Sequence, residues 1–203
     1  MGKTVLYLGI SLDGYLADRQ GGVGWLEGQR PSGSDYGYQA FYSRVGLVVM
    51  GYNTYRQVKE ELSPGAWPYD GVPCLVCTHR PLQDPGVETV SGPPEHWLPA
   101  WKERVQGDVW ICGGASLAGQ LMEQGLIDEY ALTVCPAQRG GRHPPLWAGP
   151  AHCTAGPGGM PHRKRDGPAA LCAAADRWDG TGTPRRSIES GHGATSRDYC
   201  AVF

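Results

Sequence analysis

The sequence contains no long apolar run, no large excess of charge and no regular cysteine pattern, and each absence excludes a class of protein. No apolar stretch approaches the roughly 20 residues that a helix needs to cross a bilayer, so we expect no membrane association. The formal net charge of −2 excludes a general nucleic-acid-binding protein, because such proteins carry an excess of positive charge. The seven cysteines are odd in number and scattered, and no signal-peptide layout precedes the first apolar strand. We therefore expect a protein of the reducing cytoplasm rather than a disulfide scaffold.

The composition changes sharply near residue 136. Residues 1–136 carry 9 Lys and Arg against 15 Asp and Glu, whereas residues 137–203 carry 9 against 5. The second segment has 18 glycines and prolines and only 9 residues of the types Leu, Ile, Val, Met, Phe, Trp and Tyr. So little apolar surface cannot offset the entropy of ordering the chain. The sequence therefore predicts one domain over 1–136 and an irregular, disordered tail over 137–203.

Within the first segment, apolar runs alternate with stretches of helical periodicity. Strands are expected at 5–10, 46–50, 73–78, 87–90, 108–112 and 129–135. Helices are expected at 35–44, 53–62, 98–105 and 117–124. Strands that alternate with helices, several of them continuously apolar, favour an α/β fold with a mostly parallel central sheet flanked by helices.

Three of the predicted strands run into turns whose chemistry suits phosphate groups. A Gly-Gly turn precedes a helix at 113–116, another glycine turn precedes a helix at 51–54, and a hydroxyl and a cation follow the third strand at 78–80. Glycine turns let backbone N–H groups approach an anion, and the helix behind carries about half a positive charge at its amino end. The candidate cofactor-binding residues are Gly51, Tyr52, Thr54, Thr78, His79, Arg80, Gly113, Gly114, Ala115 and Ser116.

Each turn also has a plainer interpretation, as a tight turn, a helix cap or a solvated loop. Their placement favours a ligand, because open parallel sheets bind ligands beyond the carboxyl ends of their strands, where all three turns are predicted to lie. We therefore expect the three turns to hold one dinucleotide rather than to be unrelated.

Four segments in this order resemble the dihydrofolate-reductase-like fold, in particular the reductase domain at the carboxyl end of the bifunctional riboflavin-biosynthesis deaminase/reductase. They are S-L-D-G-Y-L-A at 11–17, V-V-M-G-Y-N-T-Y at 48–55, T-H-R-P at 78–81, and G-G-A-S at 113–116 with G-L-I-D-E at 125–129. The resemblance covers about residues 3–136. It implies NADPH as cofactor, hydride transfer to a small heterocycle such as a pterin or the ribosylamino-pyrimidine of riboflavin synthesis, and a fold whose members often form homodimers. The alternative is a degenerate member that binds a nucleotide without turnover.

One residue departs from the family pattern inside the proposed phosphate site. The family usually has Arg after the M-G pair, and this chain has Tyr52. Arg grips a phosphate with two parallel hydrogen bonds, whereas Tyr offers one donor and a flat face. NADH therefore remains an alternative to NADPH as the cofactor. Arg80 and Arg56 are the candidate cations that compensate for the missing arginine.

The resemblance also indicates where the reacting end of the site lies. Asp13 at the end of the first strand and Asp35 at the start of a helix are the candidate catalytic carboxylates, with Asp35 able to relay a proton to the substrate. Their alternatives are a local turn with Gly14 and a helix cap. Gly24 and Trp25, at the end of a glycine-rich loop, resemble the mobile lid that excludes water from hydride transfer in this fold.

The C-x-x-C pair Cys74 and Cys77 is not expected to bind metal. Residues three apart on a strand place their sulfurs on opposite faces, and no second Cys/His pair completes a zinc site. A thiol redox protein would need both cysteines on one exposed face. The short basic run at 162–165 is interpreted as part of a solvated tail.

The family pattern requires two closing strands after Cys135, and the printed sequence shows neither. Codons for 142–147 can read G-I-P-L-F-G in the neighbouring frame, and codons for 160–172 can read C-R-T-E-S-G-M-V-Q-L-R-Y. We therefore hypothesise a one-base frameshift between about residues 133 and 142. An intact single frame on resequencing would exclude it. A genuine tail would instead leave the strand at 129–135 as an exposed, aggregation-prone edge.

Overall fold

The computed structural model of the chain describes residues 2–26, 35–137 and 145–146. Its strands are β1 (Thr4–Ser11), β2 (Val45–Gly51), β3 (Cys74–Cys77), β4 (Glu88–Val90), β5 (Asp108–Gly113) and β6 (Glu129–Cys135). Its helices are α1 (Tyr38–Tyr42), α2 (Tyr52–Gln57), α3 (Pro94–Arg104) and α4 (Ala115–Glu123). A 3₁₀-helix covers Gly24–Leu26, and a π-helix covers Val58–Leu62 directly after α2.

The six strands of the described chain form one sheet in the order β4-β3-β2-β5-β1-β6. All five neighbouring pairs are parallel, so every strand ends at the same edge of the sheet. The register places Gly51 opposite Cys77 of β3, and Met50 opposite Gly113 of β5. The turns after β2, β3 and β5 are therefore neighbours in space.

Alternate residues of each strand build two separate apolar layers, as the two-residue period of a strand requires. On one face, α3 and α4 pack through Leu98, Leu117 and Leu121 over Leu6 and Ile111. On the other face, aromatic side chains from β1, from α1 and from the loop before β3 surround Trp110, which is fully buried. These aromatic residues are Tyr7, Tyr38, Phe41, Tyr42 and Tyr69. The α/β fold with a parallel sheet flanked by helices is confirmed.

The G-L-I-D-E segment fixes β6 beside β1. The Asp128 carboxylate accepts hydrogen bonds from the Thr4 N–H and from Lys102 Nζ, both at 2.7 Å. Burial raises the pKa of Asp128, but these two donors outweigh it, so the pKa lies below its usual value. Asp128 also donates its own N–H to the Thr4 carbonyl at 2.9 Å. Asp128 therefore connects the start of β6 to β1 and to α3, at the amino ends of the strands.

Strand positions agree with the sequence prediction to within one or two residues, and helix bounds differ more. Helix α3 begins at Pro94 rather than at 98, because proline fits the first turn, where its missing N–H costs nothing. The helix expected at 53–62 ends as an α-helix at Gln57 and continues as the π-helix. The helix expected at 35–44 is shorter, because Gly37 before α1 has a left-handed φ of +80° that a helix cannot include, and Asp35 lies outside the helix. Among the described residues, no helix combines the length and apolar character needed to cross a bilayer.

Candidate functional site

A cleft of about 820 Å³ opens at the carboxyl edge of the sheet, between the turns after β2 and β5. It forms there because the helices that follow these adjacent strands leave toward opposite faces. Helix α2 packs through Tyr55 on the Trp110 face, and α4 packs through Leu117 on the Ile111 face. Such a divergence point is where open α/β sheets bind their ligands.

All ten residues proposed from the sequence as cofactor-binding line this one cleft. They come from three separate turns, after β2, after β3 and after β5. The cleft therefore offers two glycine turns, a hydroxyl and a cation to a single ligand. Arg56, the second cation considered at the sequence level, also lines it.

The turns after β2 and β5 approach each other so closely that side chains would obstruct them. A Cβ atom on Gly114 would lie 3.2 Å from Thr54 Oγ1, tighter than ordinary van der Waals contact. Gly113 has φ of +136°, a conformation that L side chains rarely adopt, and its peptide bond to Gly114 is cis. Helix α4 begins at Ala115, so its first N–H groups face this cradle. The arrangement suits an anion bound against bare backbone.

Tyr52 and Arg80 lie against each other within the cleft. The Arg80 guanidinium carbon is 5.0 Å from the centre of the Tyr52 ring, a cation–π contact between the start of α2 and the loop after β3. The Arg80 N–H donates to Thr78 Oγ1 at 2.9 Å, which fixes the turn that carries the guanidinium. The residue that replaces the family arginine therefore holds a different arginine in place.

The loop that carries Thr78 and Arg80 is anchored through Asp84. The Tyr55 hydroxyl of α2 donates to Asp84 Oδ2 at 2.5 Å, and Lys59 of the π-helix donates to the same oxygen. The Gly86 N–H binds Oδ1 at 3.0 Å. The hydrogen bonds from Lys59, Tyr55 and Gly86 lower the pKa of Asp84 to about 2.

We expect Asp84→Asn to lower the free energy of unfolding at pH 7 by about 1 kcal/mol, because it weakens charge-assisted hydrogen bonds to the partly exposed Lys59. A carboxyl whose pKa is lowered on folding stabilises the protein above its unfolded pKa of about 3.9 and loses that effect toward pH 2. Wild type and variant should thus differ above pH 5 and converge near pH 2. Urea denaturation across this pH range measures the free energy of unfolding of both proteins, with Asp70→Asn at an exposed position as the control. Equal stability of wild type and Asp84→Asn at pH 7 would contradict the anchoring role.

The sequence profile of the family described as RibD C-terminal domain matches residues 3–154. The chain belongs to the RibD C-terminal domain family. The resemblance found in the four motifs is confirmed, and the match extends beyond the domain boundary expected at 136.

The chain is also similar to individual proteins. The uncharacterised protein YwjB of Bacillus subtilis strain 168 is 37% identical over 140 residues, which are 68% of this chain and 79% of YwjB. A solved structure from Shewanella sp. PV-4, whose name provisionally assigns it to riboflavin biosynthesis, has a TM-score of 0.61 at 28% identity. It covers 71% of this chain and 82% of its own. A dihydrofolate reductase from Enterococcus faecalis, complexed with NADP(H) and RAB-propyl, has a TM-score of 0.48 at 17% identity, over 69% of this chain and 74% of its own.

Among the described residues, the part of this RibD C-terminal domain after β6 is represented by residues 136–137 and 145–146. Leu146 is buried in the apolar layer of α3 and α4, and its N–H donates to the Gly14 carbonyl at 2.8 Å. Leu146 therefore lies beside the turn after β1, at the carboxyl edge of the sheet where β6 also ends. The predicted tail and the hypothesised frameshift otherwise fall outside the described residues.

The two carboxylates proposed as catalytic do not line the described cleft. Asp35 accepts hydrogen bonds from the N–H groups of Gly37 and Gln39, at 2.9 and 3.0 Å, so it caps α1. Asp13 accepts a hydrogen bond from Ser11 Oγ at 2.6 Å within the turn after β1. For Asp35 this agrees with the helix cap that the sequence left open, whereas the Asp13 contact is with Ser11 and not with Gly14, whose N–H donates to the Ser11 carbonyl. A proton-transfer role for either residue stays a prediction.

The glycine-rich loop does border the cleft, but not through the two residues chosen from the sequence. Val23 and Leu26 line the cleft, whereas Trp25 is buried in a cluster with Val23, Leu26 and Cys135. Gly24 begins the 3₁₀-helix that carries Trp25 into this cluster. A lid role for Gly24 and Trp25 stays a prediction, and the wall itself consists of their neighbours.

Sequence reasoning missed a second wall, built where β4 runs into α3. Val90, Gly92 and Pro94 line the cleft together with Trp97, whose Nε1 donates to the Gly92 carbonyl at 3.2 Å. The turn after β4 has no glycine-helix motif of the phosphate-binding type. Because β4 pairs parallel with β3, the turn after β4 also lies at the carboxyl edge. The expected parallel sheet was therefore the sequence signal that could have indicated this wall.

Cys74 and Cys77 lie on opposite faces of the sheet, as their spacing on a strand predicts. Burial raises the pKa of each thiol to about 12, so both stay protonated at neutral pH. A thiolate is the reactive form in disulfide exchange, and this pair does not supply it. Within the described ranges, no three His, Cys, Asp or Glu side chains gather as a metal site would require.

Proposed function

We propose that this chain is an NADPH-dependent reductase that transfers hydride to a small heterocyclic substrate of the pterin or 5-amino-6-ribosylamino-pyrimidine type. Membership of the RibD C-terminal domain family supports a reductase related to riboflavin biosynthesis. The observation that carries the proposal is that three turns chosen for phosphate chemistry line one cleft of about 820 Å³. That volume suits a cofactor site, which in proteins spans roughly 300–1,000 Å³.

The residues present fit the phosphates of such a cofactor. A methyl group on Gly114 would fill the space beside Thr54 Oγ1, so only bare backbone leaves this cradle open. Gly114, Ala115 and Ser116 would bind the pyrophosphate, with the amino end of α4 contributing its partial positive charge. Thr54 would add a hydroxyl donor from the turn after β2.

The far end of the cleft suits the adenosine part. Arg80 supplies a permanent cation for a ribose phosphate, and Tyr52 holds that cation by its ring face. Thr78 fixes the Arg80 turn, and His79 lies between them in the cleft wall. We infer that this pair takes over the task of the family arginine and favours NADPH over NADH.

The chemistry would take place toward the loop at 18–24. Bound nicotinamide supplies the hydride, and the chain has only to hold the substrate against it and exclude water. Val23 and Leu26 give this end of the cleft an apolar wall. Asp13 and Asp35 are the proposed catalytic carboxylates, with Asp35 as the proton relay, and Asp35 would have to release its two N–H partners to act.

The rival function is nucleotide binding without turnover, as in a degenerate member of the family. The substitution at Tyr52 favours this rival, because it removes the usual phosphate ligand. We expect NADPH fluorescence to change on mixing with the full chain, and absorbance at 340 nm to fall when a ribosylamino-pyrimidine or dihydropterin is added. Binding without any loss of absorbance would support the rival. Absence of binding would contradict both.

A further inference from the structure

The loop at 18–22 forms one wall of the cleft and is folded on itself by a single carboxylate. Asp18 Oδ1 accepts the N–H groups of Gln20 and Gly22 at 2.9 and 2.8 Å. The Asp18 N–H and carbonyl close the same loop against Gly22 and Gly21, at 2.9 and 3.0 Å. The loop is thus a small unit held together by its own hydrogen bonds.

One side chain connects this unit to the opposite wall. Gln57, the last residue of α2, donates from Nε2 to the Gly21 carbonyl at 3.0 Å. The same nitrogen lies 3.3 Å from Glu61 Oε2, one turn further along the π-helix. The Glu61 carboxylate would repel the amide oxygen of Gln57, so the amide nitrogen is the atom that faces both Glu61 and the Gly21 carbonyl of the loop. Gln57 is half-buried, and Gln57, Glu61 and Gly21 all line the cleft.

A second contact from the π-helix supports the same loop. Leu62 packs against the cluster of Val23, Trp25 and Leu26 that follows the loop. The loop is therefore fastened to one helical segment at two points, one polar and one apolar. The polar point is the weaker, because a neutral hydrogen bond contributes only about 0.5–1.5 kcal/mol net.

The same helical segment begins in the cofactor site. Helix α2 starts at Tyr52, and Thr54 in its first turn contacts the glycine cradle after β5. A ligand in the cleft lies against the start of α2 and therefore contacts the element that holds the loop. We propose that Gln57 is a positioning residue that couples occupancy of the cofactor cleft to closure of the loop at 18–22. This inference rests on the proposed function.

The coupling has a defined consequence for binding. Loss of the Gln57 donor frees the loop while the phosphate turns stay intact. The affinity for NADPH then falls by about 3- to 10-fold, as expected for one neutral hydrogen bond. A substrate that binds beneath the loop loses affinity in addition, so KM rises more than kcat falls.

Amide hydrogen exchange of the full chain, with and without NADPH, tests this on Gln57→Met, which keeps the length but removes the donor, and on Gln57→Glu. Gln124→Met, at an exposed position after α4, is the control. In the wild type, NADPH should slow exchange both at 113–116 and at 18–22. In both Gln57 variants the loop should exchange at least about 5-fold faster without NADPH, and NADPH should protect only 113–116. The control should match wild type.

An unchanged loop exchange rate, or an unchanged NADPH affinity, in both Gln57 variants would overturn the inference. Equal protection of the loop by NADPH in wild type and Gln57→Met would do the same while leaving the proposed function intact. If NADPH protected neither segment of the wild type, the proposed function itself would be wrong. A loss of thermal stability with faster exchange throughout the sheet would mark Gln57 as purely structural and would also overturn the inference.

Discussion

Replacing Gly114 by valine should weaken NADPH binding by at least about 100-fold while leaving the fold intact. The first atom of the new side chain would lie 3.2 Å from Thr54 Oγ1 and would occupy the cradle in which the pyrophosphate binds. Displacing the phosphate from the N–H groups of α4 removes charge-assisted hydrogen bonds worth about 1.5–3 kcal/mol each. Two such bonds correspond to 100-fold or more in affinity. Nicotinamide fluorescence titration measures the change.

Gly119→Ala is the matched control for this substitution. Gly119 lies in the middle of α4, and a Cβ atom there would meet nothing within 4 Å. An alanine at that position should stabilise the helix by roughly 0.5–1 kcal/mol and leave the NADPH affinity unchanged. Wild-type affinity in Gly114→Val would show that the anion, if any, binds elsewhere in the cleft.

The second large effect concerns discrimination between the two nicotinamide cofactors. Arg80→Ala should weaken NADPH binding by about 10- to 30-fold and NADH binding by less than about 3-fold, because a guanidinium gains most from the extra phosphate of NADPH. The same variant should reduce the dependence of NADPH affinity on salt concentration. Parallel titrations with both cofactors at two ionic strengths measure both effects.

Tyr52 should act through Arg80 rather than on the phosphate directly. Tyr52→Phe keeps the ring under the guanidinium and should preserve the preference for NADPH, whereas Tyr52→Ala releases Arg80 and should lower it. Arg56→Ala tests the other cation of the cleft. A larger loss of NADPH selectivity in Arg56→Ala than in Arg80→Ala would reassign the phosphate contact to α2.

The strands of the sheet could be predicted from the sequence because they are apolar runs with clear ends. Leu47 to Met50, for example, form a short, continuously apolar run that is fully buried, as is typical of a central strand of a parallel sheet. The three phosphate turns were predictable for the same reason, since each follows such a strand. Parallel pairing then places their ends together without further information.

Features that depend on tertiary packing were not predictable in the same way. The π-helix at Val58–Leu62 has an ordinary amphipathic sequence, and its wider turn becomes visible only when Leu62 packs beside Trp25. Trp97 precedes the helix expected at 98–105, and only the corner after β4 in the folded chain brings it to the cleft. Asp35 has the same sequence signature as a cap and as an acid, and only the folded structure shows that its carboxylate accepts the N–H groups of Gly37 and Gln39.

The central claim is that the turns after β2, β3 and β5 together bind one dinucleotide. A crystal structure of the NADPH complex tests this claim most directly. The pyrophosphate should lie within hydrogen-bond distance of the N–H groups of Ala115 and Ser116, and the Arg80 guanidinium should contact the ribose phosphate. The nicotinamide should extend toward the loop at 18–24. A cofactor bound outside this cleft, or one that contacts only one of the three turns, would contradict the account.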